Sequence, residues 1–300
     1  MFNVISWNLC LPYAAGTITL IIGLTRIARQ LSSTQGLERI IGFGPLFLAV
    51  PMAVFGMDHL VFSDSVVAMI PSWIPWHLFW ALFVGICLVA GAVSVGLRRY
   101  AVLTVALFGT MLLLFVLLMH IPKVVQAPGD RFAWAVAFRD LTFAAGALSL
   151  AAVQAPDRLK RFAKDIFTPA RIVIGIAVLF FAVEHFLHPE FRPGVPLRQV
   201  TPLWIPARMS LGYVTSAVLL IAGLAFICNQ RTRSAATGLG VVMFLLVLFL
   251  YVPIVIAKPS AIGSGLNALA DTLLFSGSML CFAGSQREAA TLRSSKQALG

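Results

Sequence analysis

The stretch Gly56-Met57-Asp58-His59-Leu60, followed by Ile70-Pro71-Ser72-Trp73-Ile74-Pro75, decides how the chain is read. An apolar run ends in an acid–histidine pair, and a Pro-x-Trp-x-Pro turn leads into the next apolar run. A second copy reads Ala182-Val183-Glu184-His185-Phe186, then Thr201-Pro202-Leu203-Trp204-Ile205-Pro206. Working outward, Trp73 pairs with Trp204, Pro75 with Pro206, Pro122 with Pro253, Asp140 with Asp271 and Gly146 with Gly277, each 131 positions apart. His59 and His185 differ by 126, so the second copy carries five extra residues in the loop after its histidine. Self-similarity at a fixed offset is the signature of a repeated unit.

The composition says where such units live. Of 300 residues, 60% are hydrophobic and 11% charged, and the mean hydropathy is +0.94. Runs such as Ala101 to Met119 and Gly238 to Ala257 approach or reach the roughly 20 apolar residues that cross a bilayer. The expected fold class is therefore all-α and polytopic, with nine spans near 5–25, 38–60, 75–97, 100–121, 132–153, 170–187, 205–228, 235–257 and 264–284. Grouped by the repeat, residues 1–30 hold an N-terminal transmembrane helix and 38–153 a first four-helix unit. Residues 154–169 are a charged linker, 170–284 a second four-helix unit and 285–300 a solvated tail. Four spans per unit is an even number, so both units share one orientation, related by a pseudo-two-fold axis along the membrane normal.

The net charge of +11 belongs to the loops. One side of the membrane collects Arg26, Arg29 and Arg39, then Arg98 and Arg99, then Arg158, Lys160, Arg161, Lys164 and Arg171. Arg231, Arg233, Arg287, Arg293 and Lys296 complete it, making fifteen of the 22 basic residues. The positive-inside rule then places the N-terminus outside and the C-terminus in the cytoplasm. No basic stripe with interleaved aromatics points to nucleic acid. No positive charge precedes the first apolar run, so that run reads as an uncleaved helix. The four cysteines share no short spacing and read as small apolar residues in the spans.

Ionisable groups inside a bilayer cost about 2.5–3.5 kcal/mol each and need partners. Asp140 and Asp271 fall about eight residues into their spans, near 12 Å deep at the helical rise. Asp58-His59 and Glu184-His185 lie at the outer ends of the spans that open each unit. His120 and Tyr251 sit two residues before the paired prolines. These positions predict one outward-facing polar pocket per unit: Asp58, His59, His120, Arg139 and Asp140 as the candidate catalytic set, and Glu184, His185, Tyr251 and Asp271 as the second, binding set. Trp73 and Trp204 join the binding set as aromatic neighbours and equally suit the interfacial belt. The acids equally suit a role in fixing helix packing. No metal site is expected, because no His-x-x-x-His pair lies on one helix and His185-x-x-His188 runs into Pro189. No phosphate loop or nucleophile elbow is present.

These motifs together resemble the DoxX-like membrane proteins. The resemblance rests on the Asp58-His59 and Glu184-His185 helix ends, the Pro-x-Trp-x-Pro turns, and the helices ending in Arg98-Arg99 or Arg231-Thr232-Arg233. It also rests on His120-Ile121-Pro122 or Tyr251-Val252-Pro253, and on the last helices with Asp140 or Asp271. It covers 38–153 and 170–284. Family members are usually single four-helix units, so a tandem version with an extra first span is a departure. The resemblance implies four-helix units and membrane redox work, with no cofactor fixed but a quinone as the candidate, the lipid bilayer of a bacterial-type inner membrane as surroundings and a redox subunit as partner. Two other classes remain open on the residues alone: a non-enzymatic scaffold that binds a lipid, a small amphiphile or a partner protein, and a transporter.

Overall fold

The computed structural model describes residues 7–155, 163–195 and 197–297, with the side chains of 29–31, 163–164 and 288–297 left aside. The described chain is helical; an isolated bridge between Phe191 and Val200 is its only β-type pairing. Among the described residues nine helical segments are long and apolar enough to cross a membrane. The main helix of each is α1 (Trp7–Leu31), α2 (Gly44–Val61), α3 (His77–Gly96), α4 (Ala101–Phe115), α5 (Arg131–Gln154), α6 (Ala163–Leu187), α7 (Arg208–Ile227), α8 (Thr232–Leu246) and α9 (Asn267–Gln297). α4 and α8 each run on through a π-turn into one more short helix, and a third π-turn, Ile262–Leu266, opens α9. Helices suit this sequence because a buried backbone in lipid must satisfy its own amides. Large apolar side chains such as Leu107, Ile221 and Phe249 face outward, where only lipid would cover them. The chain is an integral membrane protein.

The boundaries of the second half repeat those of the first. α3 and α7 start and stop 131 residues apart, as do α4 and α8, the π-turns Val116–His120 and Val247–Tyr251, and the short helices Ile121–Gln126 and Val252–Ala257. The residues that enter these helices with positive φ obey the same offset: Trp76 and Ala207, and Tyr100 and Arg231. The π-turns have a local cause. Pro122 and Pro253 lack an amide hydrogen, and their rings would strike the carbonyl four residues back in a regular helix. Widening the preceding turn relieves the clash, and such π-turns recur at functional sites.

Packing also follows the exchange of halves. α2 lies along α3 as α6 lies along α7, and α4 along α5 as α8 along α9. The first helix of each half then packs on the last helix of the other: α2 on α9, and α6 on α5. α5 and α9 cross in the middle, and glycines permit close approach there and between α9 and α2. A Cβ on Gly146 would come within 2.6 Å of the Ser278 backbone, and one on Gly277 within 2.7 Å of the Phe47 backbone. The eight helices thus form a ring in chain order that closes through α9 and α2, with α1 laid against α2 and α3. Neither half closes a four-helix bundle by itself, as the sequence reading had assumed.

Three boundaries differ from those expected. α1 runs past position 25 to Leu31. α6 begins at Ala163, so Pro169 sits inside a helix and the linker is shorter than 154–169; most of its charges, at 156–162, lie outside the described residues. α9 continues to Gln297 through most of the expected tail, and 298–300 lie outside the described residues.

Candidate functional site

The centre of the polar site is Arg139, on α5 one residue before Asp140. Its Nε donates to Asp140 Oδ1 at 2.8 Å and its Nη1 donates to Asp271 Oδ2 on α9 at 3.1 Å. His120 Nε2 lies 2.8 Å from Asp140 Oδ2, so the imidazole closes the far side of that carboxylate. Asp140 and Asp271 are 4% and 6% exposed. The guanidinium carbon also stands 5.9 Å from the centre of the Phe143 ring. The π-turn places His120 here, at the C-terminal end of the widened segment and two residues before Pro122. One arginine therefore serves both members of the Asp140–Asp271 pair, because Ala270 stands where the second half would have its own.

Around the equivalent place in the second half, the loop 188–207 acts as a plug. Tyr251 Oη donates to the Pro193 carbonyl at 2.8 Å, and His185 Nε2 lies 3.1 Å from the Gly194 carbonyl. Gly194 has φ of 119°, and an added Cβ would meet Thr272 at 3.3 Å. Arg192 pins the plug by donating to Gln199 Oε1 at 2.9 Å and to the Ser264 carbonyl. Burial draws the Arg192 pKa below the usual arginine value. Between plug and helix lies a crevice of about 10 Å³, room for a single water, with Arg192 and Gln199 on the loop side and Tyr251, Thr272 and Asp271 on the helix side. The plug is built from the longer loop of the second copy. In the first half the corresponding segment is a short helix, Ser63–Val67, and a turn.

The remaining candidates lie elsewhere. Glu184 meets Arg131 of α5 at 3.5 Å rather than any group of its own half. His59 Nδ1 lies 2.8 Å from the Phe55 carbonyl one turn back. Asp58 is 7% exposed, and neither of its carboxylate oxygens has a hydrogen-bond partner. Trp73 and Trp204 are 60% and 55% exposed and stand outside the cluster, facing the surroundings.

The expected grouping of one pocket per half is therefore revised. His120, Arg139 and Asp140 do gather, but with Asp271 of the other half; Asp58 and His59 stay apart from them. His185 and Tyr251 gather on the plug loop, and Glu184 pairs across the halves. The cause is the ring order, which sets α5 against α9 and α6 instead of leaving each half to itself. Four contributors escaped the sequence reading: Arg131, Asn267, Gly194 and Arg192. Asn267 carried a signal, since it lies four residues before Asp271 and so shares its helix face. Arg131 read as a loop charge because it opens α5 directly after the N-cap Asp130, whose Oδ1 accepts from Phe132 N at 3.0 Å.

Among the described residues no three His, Cys, Asp or Glu side chains group to hold a metal ion. No family model, curated protein or solved structure matches the chain. What the cluster can do chemically follows from its charges. Two carboxylates share one guanidinium in a buried site, and His120 lies in hydrogen-bond contact with one of them. A site of this kind can bind a polar head group and exchange a proton with it.

Proposed function

We propose that the chain is a DoxX-like membrane protein of a bacterial-type inner membrane, with its N-terminus outside, acting as a quinone-linked redox subunit. In this reading the Arg139 cluster orients a carbonyl or hydroxyl of a quinone-class head group. Reducing a quinone to the quinol takes two electrons and two protons; a partner redox subunit supplies the electrons, and the His120–Asp140 pair relays both protons in turn from the aqueous face. The observation that carries the reading is the charge balance of the cluster, with two buried carboxylates and a histidine around one arginine. The paired units come from duplication, which accounts for the shared offset of 131 positions in the helix boundaries. The second copy has since plugged its own site.

A scaffold reading has its own supporting observation. The crevice of about 10 Å³ beside the plug is far smaller than the roughly 300–1,000 Å³ of usual ligand pockets, and the Arg139 hydrogen bonds are satisfied within the protein. There the cluster would clamp the halves around a partner protein or lipid.

A titration separates the two. Adding a short-chain quinone to the purified full-length protein in nanodiscs should quench tryptophan fluorescence saturably, and Asp271→Asn should weaken the binding about tenfold, the loss of one hydrogen bond to a charged group. Absence of saturable quenching in the wild type refutes the quinone reading and favours the scaffold.

A further inference from the structure

Asp58, Asp140, Glu184 and Asp271 occupy two pairs of equivalent positions in the halves. Three of them meet a guanidinium: Asp140 and Asp271 share Arg139, and Glu184 has Arg131. Asp58 has none, and both its oxygens are buried without a partner. The exchange of halves explains the deficit. Glu184 on α6 packs against α5, where it finds Arg131; Asp58 on α2 packs against α9 in the same way, where position 262 is isoleucine. Both arginines of α5 have apolar counterparts in the second half, Ile262 in the π-turn that opens α9 and Ala270 on α9 itself, so the charge is missing on one side only.

What lies beside Asp58 is the side-chain amide of Asn267, its N–H side toward the carboxylate without a well-aligned hydrogen bond. The amide Oδ1 is itself buried and unpaired, and a half-turn of the amide brings that oxygen to the carboxylate. Val54, Leu266 and Ala270 pack into an apolar shell beside these groups, with Tyr13 of α1 and Ile262 against it. Tyr13 is near enough to feel the Asp58 charge, yet its hydroxyl is taken, donating to the Pro259 carbonyl at 2.7 Å. The neighbouring His59 ring is held on the Phe55 carbonyl. An isolated carboxylate in such a shell is strongly disfavoured unless a positive charge joins it.

We infer that Asp58 and Asn267 form a binding site for a sodium ion, which takes the place that Arg131 fills in the other half. Two carboxylate oxygens and an amide oxygen are hard donors, the set that alkali and alkaline-earth cations choose over transition metals. A single carboxylate neutralises one positive charge, whereas a divalent ion would leave a net charge in the apolar shell. This site is separate from the Arg139 cluster and does not depend on the quinone reading.

The experiment uses the full chain in nanodiscs and compares sodium chloride with choline chloride at equal ionic strength. Wild type should bind radioactive sodium saturably, near one ion per chain, and should gain several degrees in Tm from sodium. Asp58→Asn should lose both effects. Should that variant not fold, Ile262→Arg decides the matter: by supplying the guanidinium found in the other half, it should abolish the sodium dependence while matching or exceeding the wild-type Tm in choline. Equal Tm in the two salts with no saturable sodium uptake overturns the proposal. So does stabilisation by acidification alone, which would assign a proton to Asp58.

Discussion

Arg139 of α5 donates to Asp271 of α9 at 3.1 Å, an ion pair between residues 132 positions apart that ties the last helix of one half to the last helix of the other. Because the same guanidinium also holds Asp140, removing it strands two buried carboxylates at once. Arg139→Ala should destabilise the protein by about 3–5 kcal/mol, the cost of breaking a buried pair from one side. A thermal unfolding series in detergent, alongside the milder Asp271→Asn, measures it. A change no larger than that of a surface arginine would mean that the carboxylates are not buried with it.

The Arg131–Glu184 pair gives a contrast. Its distance is 3.5 Å and the arginine side chain is 43% exposed, but Glu184 is buried, so Arg131→Ala should cost about 1–3 kcal/mol, the penalty for one buried group left unpaired and less than the loss of Arg139, which strands two. The same unfolding series checks the ranking of the two arginines. A loss for Arg131→Ala equal to that for Arg139→Ala would contradict it.

Helix crossing makes a packing prediction. Gly146→Val and Gly277→Val place carbon atoms against backbone that cannot turn aside, and each should cost about 1–3 kcal/mol or more from overpacking. Gly238→Ala meets nothing within 4 Å and serves as the control, with a stability at or slightly above wild type. Unfolding midpoints of the three variants provide the comparison.

How much of this was legible in the sequence differs by feature. The spans were, because runs such as Ala101 to Met119 have no other plausible home than a bilayer. The acids and histidines also stood out, since ionisable groups in such runs are costly. The partnership of Arg139 with Asp271 was not legible: helix periodicity fixes which face a residue lies on, but not which helix that face meets. The π-turns at His120 and Tyr251 were hidden for a related reason. Pro122 and Pro253 announce a lost hydrogen bond, yet whether the helix kinks or widens depends on the packing around it. The plug of the second half was visible only as five extra residues, whose fold depends on Gly194 and on acceptors presented to His185 and Tyr251.

Sidedness is open to a direct check. The proposed topology has the C-terminus in the cytoplasm and the paired Trp turns outside. A reporter that works only in the cytoplasm should be active when fused after Gly300 and silent when inserted in the 62–76 loop. The reverse pattern would invert the topology.

The central claim is that two equivalent halves share one charged cluster at their junction. Moving the arginine tests this most directly: Arg139→Ala combined with Ala270→Arg places the guanidinium at the equivalent position on α9, again beside an aspartate and across from the other. Measured by Tm in detergent, the double variant should recover most of the stability lost in Arg139→Ala. A double variant no more stable than Arg139→Ala alone would contradict the equivalence of the halves and the shared site with it.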